Sequence, residues 1–175
     1  MTSTRGIVLL PLDARTLDLA GADARAWAAG ERLTVEPVAD IVEDVARRTR
    51  EYLLRTGVPA TWGAFLAMDG ASRGVVGTCA FKGAPDRDGT VEIAYYTFLP
   101  YEGRGFATGM AAALAERAAA SGEVRTVRAH TLPERNASVR VLEKLGFRFT
   151  GEVVDPEDGP VWRWERPVAD RAPGG

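Results

Sequence analysis

"YYTFLPYEGRGFATGM", residues 95–110, decides how this chain is read. Its first part is a β-type run that breaks at Pro100. Gly103, Gly105 and Gly109 then surround Arg104 just ahead of an alanine-rich stretch. Glycine is among the poorest helix formers, so a helix entered this way has one of two explanations. The turn needs glycine's backbone freedom and leaves Arg104 in solvent, or an anion must touch the backbone there. The first N–H groups of a helix lack intrahelical partners, and together with the helix dipole they form an anion site. Gly103 and Gly105 carry no Cβ to keep a phosphate from the amides of residues 103–107, Arg104 adds charge, and Thr108 adds a hydroxyl. The spacing is G-x-G-x-x-x-G, one residue too long for a dinucleotide fingerprint, and no Gly-Lys-Ser/Thr of a phosphate-binding loop follows.

Upstream, "IVLLPL" (7–12) predicts a strand, with Pro11 marking an edge or a bulge. A helix is expected over 15–29, where Leu17, Ala20, Ala24 and Trp27 recur at helical spacing and Gly30 is the stop. Val38, Ile41, Val42, Val45, Tyr52 and Leu53 form the apolar stripe of a second helix ending at Gly57. The period then changes to two. Segments 61–69, 74–83 and 90–98 read as strands separated by "GASRG" and "APDRDG". Residues 105–121 form a helix closed by Gly122, 125–131 a strand, and Ser138–Leu145 a short helix stopped by Gly146. "FRFTGEVV" and "VWRWE" make a terminal hairpin across "DPEDGP". The order β-α-α-β-β-β-α-β-α-β-β implies an α+β (mixed α/β) fold, with helices covering a largely antiparallel central sheet. The unit over 90–131 should be a right-handed crossover that places two strands in parallel.

With 175 residues the chain is read as one domain, 1–167, followed by a mobile tail, 168–175. Twenty-two basic against 24 acidic residues give net charge −2 with no basic tract, which predicts no nucleic-acid partner. Cys79 is the sole cysteine, so no intrachain disulfide and no four-ligand zinc site of the usual kind can form, and a cytoplasmic setting is expected. Asp13 and Arg15 interrupt the first apolar run too early for a signal peptide, and no segment reaches membrane-spanning length.

Taken with "LPERNASVRVLEKLGF" (132–147), the glycine turn resembles the GNAT superfamily of acetyl-CoA-dependent N-acetyltransferases. Within it, the ribosomal-protein N-terminal-alanine acetyltransferase type is the most similar branch. The family pattern is a strand E-I-x-Y, a turn R/Q-x-x-G-x-G/A, and later N-x-x-S followed by V-L-E-K-x-G-F. It is matched here by "VEIAYY", "EGRGFA" and "RNASVRVLEKLGF". The resemblance implies a GNAT-like fold whose strands at 90–98 and 125–131 splay apart around the cofactor arm. It implies that Gly103, Arg104, Gly105, Phe106, Ala107 and Thr108 hold the CoA diphosphate, mainly through backbone N–H groups. Thr97, Phe98 and Leu99 would meet the pantetheine arm and thioester, Asn136 would bind pantetheine, and Arg135 a CoA phosphate. Two departures stand out: Glu102 occupies the usual Arg/Gln position, and Arg135 the usual Asn position, with Asn136 one residue late.

Acetyl transfer to an amine needs a neutral nucleophile, a stabilised oxyanion and a proton for the leaving thiolate. An α-amine with pKa of about 7.7–8 is partly neutral at pH 7, whereas a lysine amine costs about 4.6 kcal/mol to deprotonate there. Glu92, on the strand leading into the turn, is the candidate general base, acting directly or through water; the competing reading is a surface carboxylate in an ion pair. Ser138 is the candidate proton donor to the thiolate, since Leu142 stands where many family members have tyrosine. A serine there also reads as a helix N-cap, and both roles can coexist. The oxyanion would be met by a main-chain N–H near Phe98 or Leu99. His130, the single histidine, reads as structural rather than as a metal ligand. Cys79 reads as a buried hydrophobe. Trp162 and Trp164 should share one strand face, and "DPEDGP" is a solvated turn that could also attract a cationic amine. The expected function is acetyl-CoA-dependent N-acetylation of a primary amine, either a protein N-terminus or a small molecule, in a ternary complex. No metal and no membrane are involved, and an oligomer is possible. A non-catalytic CoA-binding or sensor module on the same fold is the alternative.

Overall fold

The computed structural model describes residues 6–168. A seven-stranded sheet runs in the order β1-β2-β3-β4-β5-β7-β6. The strands are β1 (Ile7–Pro11), β2 (Ala64–Asp69), β3 (Val75–Phe81), β4 (Thr90–Thr97), β5 (Thr126–Thr131), β6 (Arg148–Asp155) and β7 (Gly159–Pro167). Every neighbouring pair is antiparallel except β4 and β5, the pair expected to be parallel. β1 is an edge strand, which accommodates Pro11.

Five helices cover the sheet: α1 (Ala14–Ala22), α2 (Ala24–Glu31), α3 (Ala39–Thr56), α4 (Phe106–Ala120) and α5 (Ala137–Lys144). The single helix expected over 15–29 is in fact two. Asp23 adopts an extended conformation, gives its N–H to the Leu19 carbonyl to close α1, and accepts from the Ala26 N–H to cap α2. Its short carboxylate competes with the helix for backbone donors, which helical periodicity does not register. Gly30 is not the stop either. α2 runs past it to Arg32, which is left-handed, and Arg73 donates to the carbonyls of Glu31 and Arg32 at 3.0 and 2.8 Å. Gly57 does end α3 in a left-handed conformation.

α1–α3 pack on one sheet face, where Val42, Ala46, Trp27 and Ala20 bury against Leu66, Val75 and Phe98. α4 and α5 cover the other, with Met110, Leu114, Val139 and Leu142 meeting Phe65, Val76, Val91 and Val127. Full burial of a side chain such as Leu114 contributes about 1.5–3 kcal/mol. Small residues let α4 lie close to the strands. At Gly77 of β3 an added Cβ would stand 2.5 Å from the Tyr96 carbonyl oxygen and 3.0 Å from Met110. The terminal hairpin is as expected, with the rings of Trp162 and Trp164 each 5.6 Å from Phe149. Val168, placed in the expected tail, donates its N–H to the Arg125 carbonyl at 2.8 Å. The rest of that tail, and the first five residues of the expected domain, lie outside the described residues.

Candidate functional site

β4 and β5 begin side by side and then part. Their pairing runs from Thr90↔Thr126 to Ile93↔Ala129 and stops, although β4 continues to Thr97 and β5 to Thr131. The Lys82 N–H binds the Glu92 carbonyl and the Phe98 N–H binds the Val76 carbonyl, both at 2.9 Å, so even-numbered residues of β4 turn their peptide groups toward β3. By the alternation of a strand, the peptide groups of Tyr95 and Thr97 point the other way, across the gap. Unpaired backbone groups in such a position seek a partner. The Thr97 hydroxyl is also buried without a partner among the described residues.

This gap opens at the C-terminal ends of both strands, where the chain leads into α4 and α5. At the start of α4, Gly105 is the N-cap at φ +83° and offers no side-chain hydrogen bond. Gly103 is also left-handed, at φ +72°, and an added Cβ would meet nothing within 4 Å at either glycine. The helix start thus has no capping side chain, and the two glycines leave room beside it, a cradle suited to a phosphate. Phe106 buries its ring against Tyr101, Thr108 is buried, and Ala107 is half-buried. Arg104 lies over the Tyr101 ring at 5.7 Å, and Glu102 is exposed. Phe98 is wholly buried with its N–H already bound to Val76, so it has no free donor for an oxyanion, while Leu99 is exposed.

α5 begins on the other side of the gap. Its N-cap is Asn136, which accepts from the Val139 N–H at 3.1 Å, rather than Ser138. Ser138 stands one residue inside the helix and lines the pocket between the parted strands together with Tyr95. Sequence reading passed over Tyr95. Burial pushes its phenol up to about 12, so it stays protonated at neutral pH. Arg135 is exposed and paired with Glu143 at 3.1 Å, and Leu142 is in the core.

Glu92 joins two cavities. On one side is a pocket of about 340 Å³ between the parted strands, lined by Ala94, Tyr95, His130, Asn136 and Ser138. On the other is a cleft of about 650 Å³ bounded by Val45, Tyr52 and Leu53 of α3, by Thr78 and Ala80 of β3, and by Asp155 before the hairpin turn. The outer members of the α3 stripe that the core leaves uncovered form the cleft wall. One Glu92 carboxylate oxygen meets Lys82 Nζ at 2.9 Å and His130 Nδ1 at 3.0 Å. With 22 % of its side chain exposed, Glu92 is an ion-paired carboxylate, but at the floor of a cleft rather than on an open surface. Burial pulls the Lys82 amine down, yet the hydrogen bond and charge of Glu92, with Asp155 and Asp158 beyond, hold it above its ordinary value. Asp155 is held below the usual carboxylate range, chiefly by the N–H groups of Glu157 and Asp158. Cys79 is buried in β3 with its thiol pushed up to about 12, which leaves no nucleophilic thiolate. Among the described residues no helix is long and apolar enough to cross a membrane, and no group of three metal-ligating side chains occurs.

Residues 7–148 match the family model described as the acetyltransferase (GNAT) domain. A search of curated proteins returns no match. Among solved structures, the chain is similar to RimL, a ribosomal L7/L12 α-N-protein acetyltransferase in complex with coenzyme A (TM-score 0.61, 14% identity, 93% of this chain and 94% of that one). It is similar to the spermidine/spermine N-acetyltransferase SpeG from Vibrio cholerae (TM-score 0.61, 13% identity, 94% of each chain). It is also similar to yncA from Salmonella typhimurium, solved with its cofactor acetyl-CoA (TM-score 0.54, 19% identity, 76% and 78%). At these identities the structural likeness speaks for the fold.

Proposed function

The chain belongs to the GNAT acetyltransferase domain family, and on that premise we propose that it transfers the acetyl group of acetyl-CoA to a primary amine by direct attack in a ternary complex. The observation that carries this reading is the end of β4–β5 pairing at Ile93 and Ala129, which makes a slot that meets a second cleft at Glu92. In this reading the slot takes the pantetheine arm and the cleft takes the amine.

The main-chain amides of Gly103, Arg104, Gly105, Phe106, Ala107 and Thr108 bind the CoA diphosphate. The backbone of Thr97 and its orphaned hydroxyl, with Phe98 and Leu99 beside it, line the arm. Asn136 lies along the same path, and Arg135 reaches a phosphate once it releases Glu143. Acetyl-CoA supplies an activated acyl carbon and a thiolate leaving group. Glu92, acting through the imidazole at its carboxylate, removes the proton of the amine, and Ser138, which shares its pocket with the protonated Tyr95, returns one to sulfur. Glu92, Asp155 and Glu157 outnumber Lys82 and Arg48 in the cleft lining, a balance that favours a cationic amine.

For the acceptor, the proposal follows the sequence resemblance to the ribosomal-protein N-terminal-alanine branch: an α-amine, with small polyamines as the second class. A cytoplasmic setting belongs to the same proposal. The test is thiol release from acetyl-CoA with mass-spectrometric detection of acetylated product, over peptides with varied first residues and a set of small amines. Transfer to at least one class is expected. Saturable acetyl-CoA binding without transfer to any amine would overturn the reading.

A further inference from the structure

His130 is more than a packing residue. Its ring lines the pocket between the parted strands, and its Nδ1 lies 3.0 Å from the Glu92 carboxylate. A carboxylate can only accept, so in the neutral ring the proton sits on Nδ1 and the lone pair on Nε2. That Nε2 is buried and has no hydrogen-bond partner among the described residues. A buried acceptor left unpaired is unfavourable, and such exceptions in native folds gather at working sites. Glu92 is already engaged twice at one carboxylate oxygen, by Lys82 at 2.9 Å and by His130 at 3.0 Å.

We propose that His130 Nε2 is the atom that takes the proton from the acceptor amine, and that Glu92 is a positioning residue that fixes the imidazole tautomer and steadies the imidazolium. The assignment rests on the acetyltransferase reading above. In the step, Nε2 removes one proton from the ammonium group, and the freed nitrogen lone pair forms the C–N bond to the acyl carbon. The C–S electron pair leaves on sulfur, which takes the second nitrogen proton by way of Ser138, and the imidazolium returns the first proton to solvent. The arrangement has the logic of a carboxylate–imidazole pair acting on a nucleophile.

The pocket that holds this ring is also lined by Glu92 and Tyr95 on β4, Lys82 just past β3, Asp158 in the hairpin turn and Ser138 on α5. Asp155 at the end of β6 is near enough for the two charges to interact, and Arg163 is the register partner of His130 on β7. Because His130 is the only histidine, its ring nitrogens can be observed alone by ¹⁵N NMR in the untagged protein without ligand. The expected spectrum is the Nδ1–H tautomer in the wild type, shifting toward Nε2–H in E92Q. In kinetics, His130→Gln should lower kcat by about a hundredfold or more and remove the acidic limb of its pH profile. Glu92→Gln should lower kcat less, because Nε2 stays in place while the tautomer is no longer fixed by the carboxylate. A wild-type Nε2–H tautomer would sink the assignment, as would an H130Q variant that keeps the wild-type limb while E92Q abolishes it. Failure of the transferase reading would show separately, as a wild type that acetylates nothing.

Discussion

Replacing Gly105 by Ala probes the α4 entrance, and Gly122→Ala on the same helix is its control. Both glycines are left-handed, at φ +83° and +76°, one at each end of α4, and an added Cβ finds nothing within 4 Å at either. Forcing an L-residue into this conformation costs about 1 kcal/mol at either site. Each variant should therefore melt about 2–4 °C lower. The two differ only in what approaches from solvent. At Gly105 the added methyl stands beside the uncapped amides that the diphosphate would contact, whereas at Gly122 it stands by a helix C-terminus. Calorimetric titration with CoA should show at least about tenfold weaker binding for G105A, roughly 1.4 kcal/mol, and wild-type binding for G122A. Equal affinity in the two variants, whether intact or lost, would refute the claim that the Gly103–Gly105 turn grips the phosphates.

Three further outcomes follow from local contacts. Asn136→Ala removes the bond to the Val139 N–H and should cost about 1 kcal/mol by denaturant titration, whereas Ser138→Ala should change stability by less than about 0.5 kcal/mol yet slow turnover. Cys79, with its thiol pushed up to about 12, should present roughly one thiolate in ten thousand at pH 8. It should resist a disulfide reagent until the protein is denatured, and rapid native labelling would contradict its burial. Trp164→Phe deletes the 3.1 Å bond from Nε1 to the Thr131 hydroxyl and leaves that buried oxygen unpaired, so calorimetry should read a loss of about 1–3 kcal/mol.

Where the reading of the sequence went astray, the cause was local chemistry that a period does not encode. Asp23 cut one expected helix in two because its carboxylate could serve the next turn's amides. Asn136, rather than Ser138, caps α5 by the same kind of contact. Tyr95 went unnoticed because nothing in "EIAYYTF" distinguishes a tyrosine that shares a pocket with a serine over forty residues later from one that faces solvent. His130 reads in the sequence as structural because it is a lone imidazole with no cysteine or second histidine near it; its partner Glu92 lies on another strand, and no spacing rule links 92 to 130.

The sequence by itself determined the strands, every helix apart from the break at Asp23, and the glycine entrance to α4. Alternation of side chains, helical stripes and left-handed glycine stops are properties of a few consecutive residues, and Gly103 and Gly105 declare an uncapped helix start wherever the chain puts it. Tertiary structure alone decided where β4 and β5 part, and that Lys82, Glu92 and His130 from three neighbouring strand segments converge at the junction of two cavities. Strand register and cross-strand contact arise from pairing between segments separated by long loops, so the energies that fix them belong to the assembled sheet and to no single window of the chain.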